Sequence, residues 1–295
     1  MKIFLYHWGI VAPLAALMVA GSVIVAAKSN AAPVGPGAFV VVSSSPVAAP
    51  SASPSAVAIA SAPVMTAPPA TASTSAASSS ASSASVFKIW TVGDSTAQAL
   101  GEEFDRQTKG DKGLKSSLLF RNSSGLVRRD FHDWPNVING VLAHPPNVAV
   151  ISLGANDTQG MFAPGNRTTP VQPGTEGWRD EYARRMSEFI QLFVAKGVRV
   201  YVVGQAHDPA RHFAPMLNTV NEALKAAVAL NSGVTYIDAA AWLADSQGRY
   251  QISAPNKAGR TVTLRNLDGI HLSGDGGAIL ADRIYQQIKA DRAAQ

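Results

Sequence analysis

The chain has no cysteine among its 295 residues. That absence excludes disulfides, thiolate metal sites, a cysteine nucleophile and the lipid-bearing cysteine of a bacterial lipoprotein. It leaves the compartment open, because a domain of ordinary size buries enough surface to fold without covalent staples. Charge is missing from one long stretch: Ala31 to Val86 is almost only Ala, Ser, Pro, Val and Thr, with no charged residue. Few of its side chains are large and apolar, so burial there does not offset the entropy of ordering the chain. Repeated prolines (Pro46, Pro50, Pro54, Pro63, Pro68, Pro69) favour extended backbone. Residues 31–86 are therefore expected to be a disordered stalk, with a glycan-decorated segment or a wall-spanning spacer as alternatives. Lys and Arg form no long run and do not alternate with aromatics, so a nucleic-acid partner has little support. Of the net charge of +5, Lys2 and Lys28 carry two. Without Cys, without a tight His/Asp cluster and without a glycine-rich phosphate loop, no metal and no cofactor are expected.

Residues 1–30 bear on location. Ile3 to Ala27 carries no formal charge, and Trp8–Ala27 alone has the length of a spanning helix. Small residues at Ser29 and Ala31 also suit cleavage before Ala32. Signal peptide and uncleaved anchor stand as equal alternatives. Both export the rest of the chain to the periplasm or cell envelope, and the membrane is met only through this segment.

From residue 87 to 295 the pattern is that of one globular domain. Strand-like segments (86–92, 116–122, 147–153, 198–204, 234–238) alternate with helix-like ones (95–107, 131–142, 178–196, 215–230, 276–290). Asn147–Leu153 is a continuous apolar run, as expected of a strand covered on both faces. Tyr182, Met186, Phe189, Ile190 and Phe193 recur at helical spacing and stop at Gly197. Such alternation implies a three-layer α/β/α fold with a mostly parallel sheet of about five strands, and a ligand crevice beyond the carboxyl ends of the strands. The Gly- and Pro-containing stretch 158–177 is expected to form part of a rim or lid. Residues 246–266 lack helical periodicity and suit a hairpin.

Four short blocks fall at those strand ends or before the last helix. Gly93-Asp94-Ser95 follows the first strand, where a serine hydroxyl can face a substrate; an ordinary helix N-cap explains the same residues. Ser123-Ser124-Gly125 follows the second strand, and Gly125 can present a bare backbone N–H; a plain turn is the alternative. Gly154-Ala155-Asn156-Asp157 follows the most apolar strand, and the Asn156 carboxamide can donate to an oxyanion; turns also favour these residues. Asp268-Gly269-Ile270-His271 precedes the last helix. An imidazole can take a proton from a serine hydroxyl, and a carboxylate three residues away can fix its tautomer. A loop aspartate and a surface histidine are the alternative.

Together, in this order, the four blocks resemble those of the SGNH (GDSL-like) hydrolase family, and the context of the second block, Asn122 to Trp134 with Arg128, Arg129, Phe131 and Trp134, resembles a subgroup of exported bacterial proteins of poorly defined function. The resemblance covers nearly all of Val86–Ala290. It implies Ser95 as nucleophile, His271 as general base and Asp268 as its orienting carboxylate. It further implies an oxyanion hole from the Ser95 amide, the Gly125 amide and the Asn156 side chain, with Asp94 and Asp157 supporting the turns. Thr96 departs from the family's Leu, at a position expected to serve packing. His207-Asp208 is a weaker rival base–carboxylate pair, His132 and His144 are expected on the surface, and Arg167, Arg179 and Arg211 are candidate anion contacts.

The expected activity is hydrolysis of O-acyl esters, foremost O-acetyl esters, on a polysaccharide or cell-wall glycan. The alternatives are an O-acyltransferase or accessory protein modifying an exopolysaccharide such as cellulose, in contact with its synthesis machinery, and a non-catalytic glycan-binding assembly factor.

Overall fold

In a computed structural model, the structure describes residues 40–43 and 86–294. The expected signal or anchor, and nearly all of the expected stalk, lie outside the described residues. Among the described residues no helix is long and apolar enough to cross a membrane.

Among the described residues, six strands form the main sheet: β1 (Val40–Ser43), β2 (Phe87–Gly93), β3 (Leu114–Phe120), β4 (Val148–Ser152), β5 (Arg199–Val203) and β6 (Val234–Ile237), in the order β1-β3-β2-β4-β5-β6. The five from β2 to β6 are all parallel. β1 pairs antiparallel with the outer edge of β3, Val40 opposite Phe120 and Ser43 opposite Ser117. Among the parallel strands the order reverses between β2 and β4, which is where doubly wound sheets open a ligand crevice.

Helices cover both faces, so a mostly parallel three-layer sheet is what the chain builds. On one face lie α2 (Trp134–Val141), α3 (Glu176–Val194) and α4 (Ala214–Ala229); on the other lie α1 (Gln98–Thr108), the short α5 (Ala239–Trp242) and α6 (Gly274–Ala293). The period of two along β4 assigns its residues: Ala149 and Ile151 join the core under α3 and α4, Val148 and Val150 the core under α1 and α6. All five β4 residues are buried, as the apolar run requires. α3 begins at Thr175, whose side chain accepts from Trp178 N–H, and ends before Gly197, which takes φ +73°. Its apolar stripe (Tyr182, Met186, Phe189, Ile190, Phe193) is fully buried. Within 246–266 a small antiparallel pair forms, β7 (Ser253–Pro255) with β8 (Thr261–Thr263). α5 has no counterpart among the helix-like segments of the sequence: at four residues it is too short to show a helical period.

Candidate active site

β2 ends at Gly93, where any side chain would collide with β4, since a Cβ there would lie 1.7 Å from the Ser152 carbonyl oxygen. The chain turns at Asp94 into a single 3₁₀ turn, Ser95–Ala97, that leads into α1. Ser95 is thereby held half-buried at the sheet's C-terminal edge. From the far end of the chain, Asp268-Gly269-Ile270-His271 returns to the same place in a tight loop. Gly269 adopts φ +77°, Asn266 N–H donates to His271 O, and a bridge between Arg265 and Leu272 closes the loop.

The two segments meet. His271 Nε2 lies 2.7 Å from Ser95 Oγ, and His271 Nδ1 lies 2.9 Å from Asp268 Oδ2. The other carboxylate oxygen of Asp268 accepts the N–H groups of Ile270 (2.8 Å) and His271 (2.9 Å). Burial pushes the Asp268 carboxyl upward, but these N–H donors and the imidazole outweigh it, and its pKa lies below the ordinary carboxylate value. An ionised Asp268 accepts a hydrogen bond from Nδ1–H, which leaves Nε2 to accept from the serine hydroxyl.

Two buried aspartates tie together the loops that carry Ser95, Gly125 and Asn156. Asp94 Oδ1 accepts from Thr96 N (2.8 Å) and Thr96 Oγ1 (2.7 Å), while Oδ2 accepts from Gly154 N (2.9 Å) and Ala155 N (3.1 Å). Thus the turn after β2 is pinned to the turn after β4. Asp157 accepts from Leu126 N (2.9 Å), Val127 N (2.8 Å) and Tyr182 Oη (2.6 Å), which pins the β4 turn to the β3 loop and to α3. Burial pushes both carboxyls up, Asp157 to about 6, against the pull of these donors; Asp94's charge adds to the rise at Asp157. Gly125 packs directly on Asp157, since a Cβ there would lie 2.0 Å from Oδ1. Asn156 Nδ2 donates one hydrogen to Ser124 O at 3.1 Å and carries a second. Ser124 is held in turn by Trp134, whose Nε1 donates to its hydroxyl at 2.9 Å.

Ser95, His271 and Asp268 are therefore joined in one chain of contacts, and the Gly125 and Asn156 loops are linked to it through Asp94 and Asp157. Thr96, expected to serve packing, instead hydrogen-bonds Asp94 and lies 2.9 Å from Ser152 Oγ. The rival pair does not form such a chain. The Asp208 carboxylate takes Ala210 N–H and Arg211, its own N–H donates to Gly269 O, and burial lowers the pKa of His207. His144 is exposed, but His132 is half-buried, edge-on to Trp134 with ring centroids 4.6 Å apart. Of the three arginines, Arg179 pairs with Glu176 and Asp180, Arg211 pairs with Asp208 and donates to Leu267 O, and Arg167 is exposed. No signal in the sequence marked the Tyr182 hydroxyl, which donates to Asp157, or Arg185, which donates to Leu126 O at 3.2 Å. Tyr182 sits in an apolar helical stripe that marks its ring as core and says nothing of its hydroxyl. A groove of about 700 Å³ between α1, α6 and the β7–β8 hairpin contains none of the residues of this site.

A family model described as "Protein of unknown function (DUF459)" matches residues 88–287, a span that holds all four blocks. The chain belongs to this family. No curated protein matches the DUF459 chain. Solved structures are similar to it at low identity. One is a member of the lipolytic protein G-D-S-L family from Veillonella parvula DSM 2008, at 15% identity and TM-score 0.44, covering 68% of this chain and 97% of that one. Another is an acetylxylan esterase from Geobacillus stearothermophilus, at 13% identity and TM-score 0.46, covering 69% and 94%. A third is the C-terminal catalytic domain of a peptidoglycan O-acetyltransferase from Streptococcus pneumoniae, at 13% identity and TM-score 0.44, covering 70% and 96%.

Proposed function

We propose that this DUF459 protein is an exported serine esterase that removes O-acyl groups, foremost O-acetyl, from a polysaccharide or cell-wall glycan. The observation that carries the reading is the contact chain Ser95 Oγ–His271 Nε2–Asp268, at 2.7 and 2.9 Å. In this reading Ser95 Oγ attacks the ester carbonyl while its proton passes to His271 Nε2. Asp268 holds the imidazole's tautomer and stabilises the imidazolium. The Ser95 and Gly125 amides and the second hydrogen on Asn156 Nδ2 receive the oxyanion. The imidazolium then protonates the leaving alkoxide, and water deprotonated by His271 releases the acid. Export rests on residues 1–30. A glycan hydroxyl in place of water would make the same site a transferase.

The test is turnover of a chromogenic acetate ester and of an O-acetylated glycan by wild type, Ser95→Ala and His271→Ala. Loss of about 10³-fold or more in kcat is expected for each variant. Activity retained in both would overturn the mechanism, and absence of turnover in the wild type would favour a non-catalytic glycan binder. Product analysis with and without a glycan acceptor separates hydrolysis from transfer.

A further inference from the structure

We propose that helix α3 positions the Gly125 amide through a two-sided clamp on the Leu126–Val127 backbone, with ionised Asp157, held by Tyr182, on the N–H side and Arg185 on the carbonyl side. The role assigned to Gly125 rests on the esterase reading; the clamp itself is a matter of contacts. The N–H groups of Leu126 and Val127 both donate to Asp157, one to each carboxylate oxygen. Arg185 Nη1 approaches the carbonyl oxygens of the same two residues, at 3.2 Å for Leu126 and 3.4 Å for Val127. Both edges of this two-residue segment are thus occupied by charged groups of opposite sign, each suited to the edge it meets.

Both grips lead back to one helix. Tyr182 and Arg185 are three residues apart on α3, and so share a face. The Tyr182 ring is fully buried and stacked on Trp178, with centroids 4.9 Å apart, so its hydroxyl has a fixed position from which to hold Asp157. Arg185 is fixed by the buried Glu181, whose Oε1 accepts from its Nε at 2.7 Å. Its remaining nitrogen, Nη2, donates to Phe162 O at 2.7 Å. The rim segment between β4 and α3 is therefore tied to the same guanidinium as the Gly125 loop.

Proton uptake by Asp157 weakens one side of the clamp. N–H bonds to a carboxylate are roughly twice as strong as those to a neutral acid. The groups that face Asp157 are Tyr182 on α3, which favours its charged form, and Asp94 on the β2 turn, which disfavours it; Arg185 acts on Tyr182 from the same helix. Turnover should therefore have an acid limb that belongs to Asp157 and responds to Tyr182. Gly125 packs directly on this carboxylate, so a change in Asp157 reaches its amide without an intervening side chain.

The experiment compares the full chain as wild type, Tyr182→Phe and Arg185→Lys, with Ser95→Ala as background. It measures kcat and KM from pH 5 to 8, thermal unfolding, and the backbone amide NMR shifts of residues 125–127 against pH. Tyr182→Phe is expected to move the acid limb upward by about half a pH unit or more, with KM within about twofold, because it removes a donor to the charged carboxylate. Arg185→Lys is expected to lower kcat several-fold at all pH values with little change in KM. Unchanged pH profiles and kcat in folded variants, or a rise in KM alone, overturn the proposal. If Tyr182→Phe fails to fold, the more accessible Arg185→Lys decides. If the wild type shows no Ser95-dependent turnover, the esterase reading fails while the clamp is still judged by NMR. The three amides must then titrate together in the wild type and shift their midpoint in Tyr182→Phe, and amides that do not respond to pH overturn it.

Discussion

Asp157 has opposite effects on stability and on the site. Its carboxyl is raised from the ordinary 3.8 to about 6, first of all by burial. The folded chain therefore binds the proton more tightly than the unfolded chain does. The stability linked to that proton is complete below pH 3.8 and declines as pH rises through about 6. A shift of this size corresponds to about 3 kcal/mol at neutral pH. The melting temperature of Asp157→Asn relative to wild type should accordingly climb between pH 5 and 7, whatever offset the substitution itself introduces, and a flat difference would contradict the raised carboxyl. Gly125 makes a second residue-scale prediction. Gly125→Ala places a methyl group where Asp157 Oδ1 stands, and that oxygen cannot withdraw without giving up its bond to Val127. The loop must yield, at about 1–3 kcal/mol of stability. If Gly125 serves as a donor, kcat falls about 10²–10³-fold. Steady-state kinetics on the folded variant check this.

At the scale of elements, the start of α6 fixes where His271 can be. Ser273 caps the helix two residues after His271; its hydroxyl accepts Gly276 N–H at 3.0 Å, donates to Thr263 O, and its own N–H reaches Leu264 O. Gly276 lies so close to the end of the hairpin that a Cβ would be 1.9 Å from Leu264 O. Helix, hairpin and His271 loop are therefore one packed unit. Ser273→Ala should cost about 1 kcal/mol, the usual loss of a capping hydroxyl. For a domain of this size that is a fall of about 2–4 °C in melting temperature, readable by calorimetry. The five parallel strands and the long helices were legible from periodicity to within a few residues, because β4 is buried on both faces and α3 on one stripe, whereas β1 falls in the stretch expected to be a stalk. The short α5 carried no such signal.

Across the whole molecule, 176 residues separate Ser95 from His271. The parallel sheet closes that distance by setting β2 beside β4 and packing α6 against α1. Among the described residues both core clusters lie within residues 87–288, as does the family match, and β1 pairs with the edge of β3. A chain starting at residue 84 is thus expected to unfold cooperatively within a few degrees of the full chain and to keep any Ser95-dependent turnover. A lost transition would show that the preceding residues complete the core.

The order of the four blocks, the alternation of strand and helix, and the residue types at the strand ends were determined by the sequence, because each is a local property of a strand end, a helix start or a turn. Which loops share a carboxylate was decided only by the tertiary structure. No spacing relates Asp94 to Gly154, Asp157 to Tyr182, or Arg185 to the Leu126 carbonyl. Burial pattern places a ring in the core, but the partner of its hydroxyl depends on how separate layers meet.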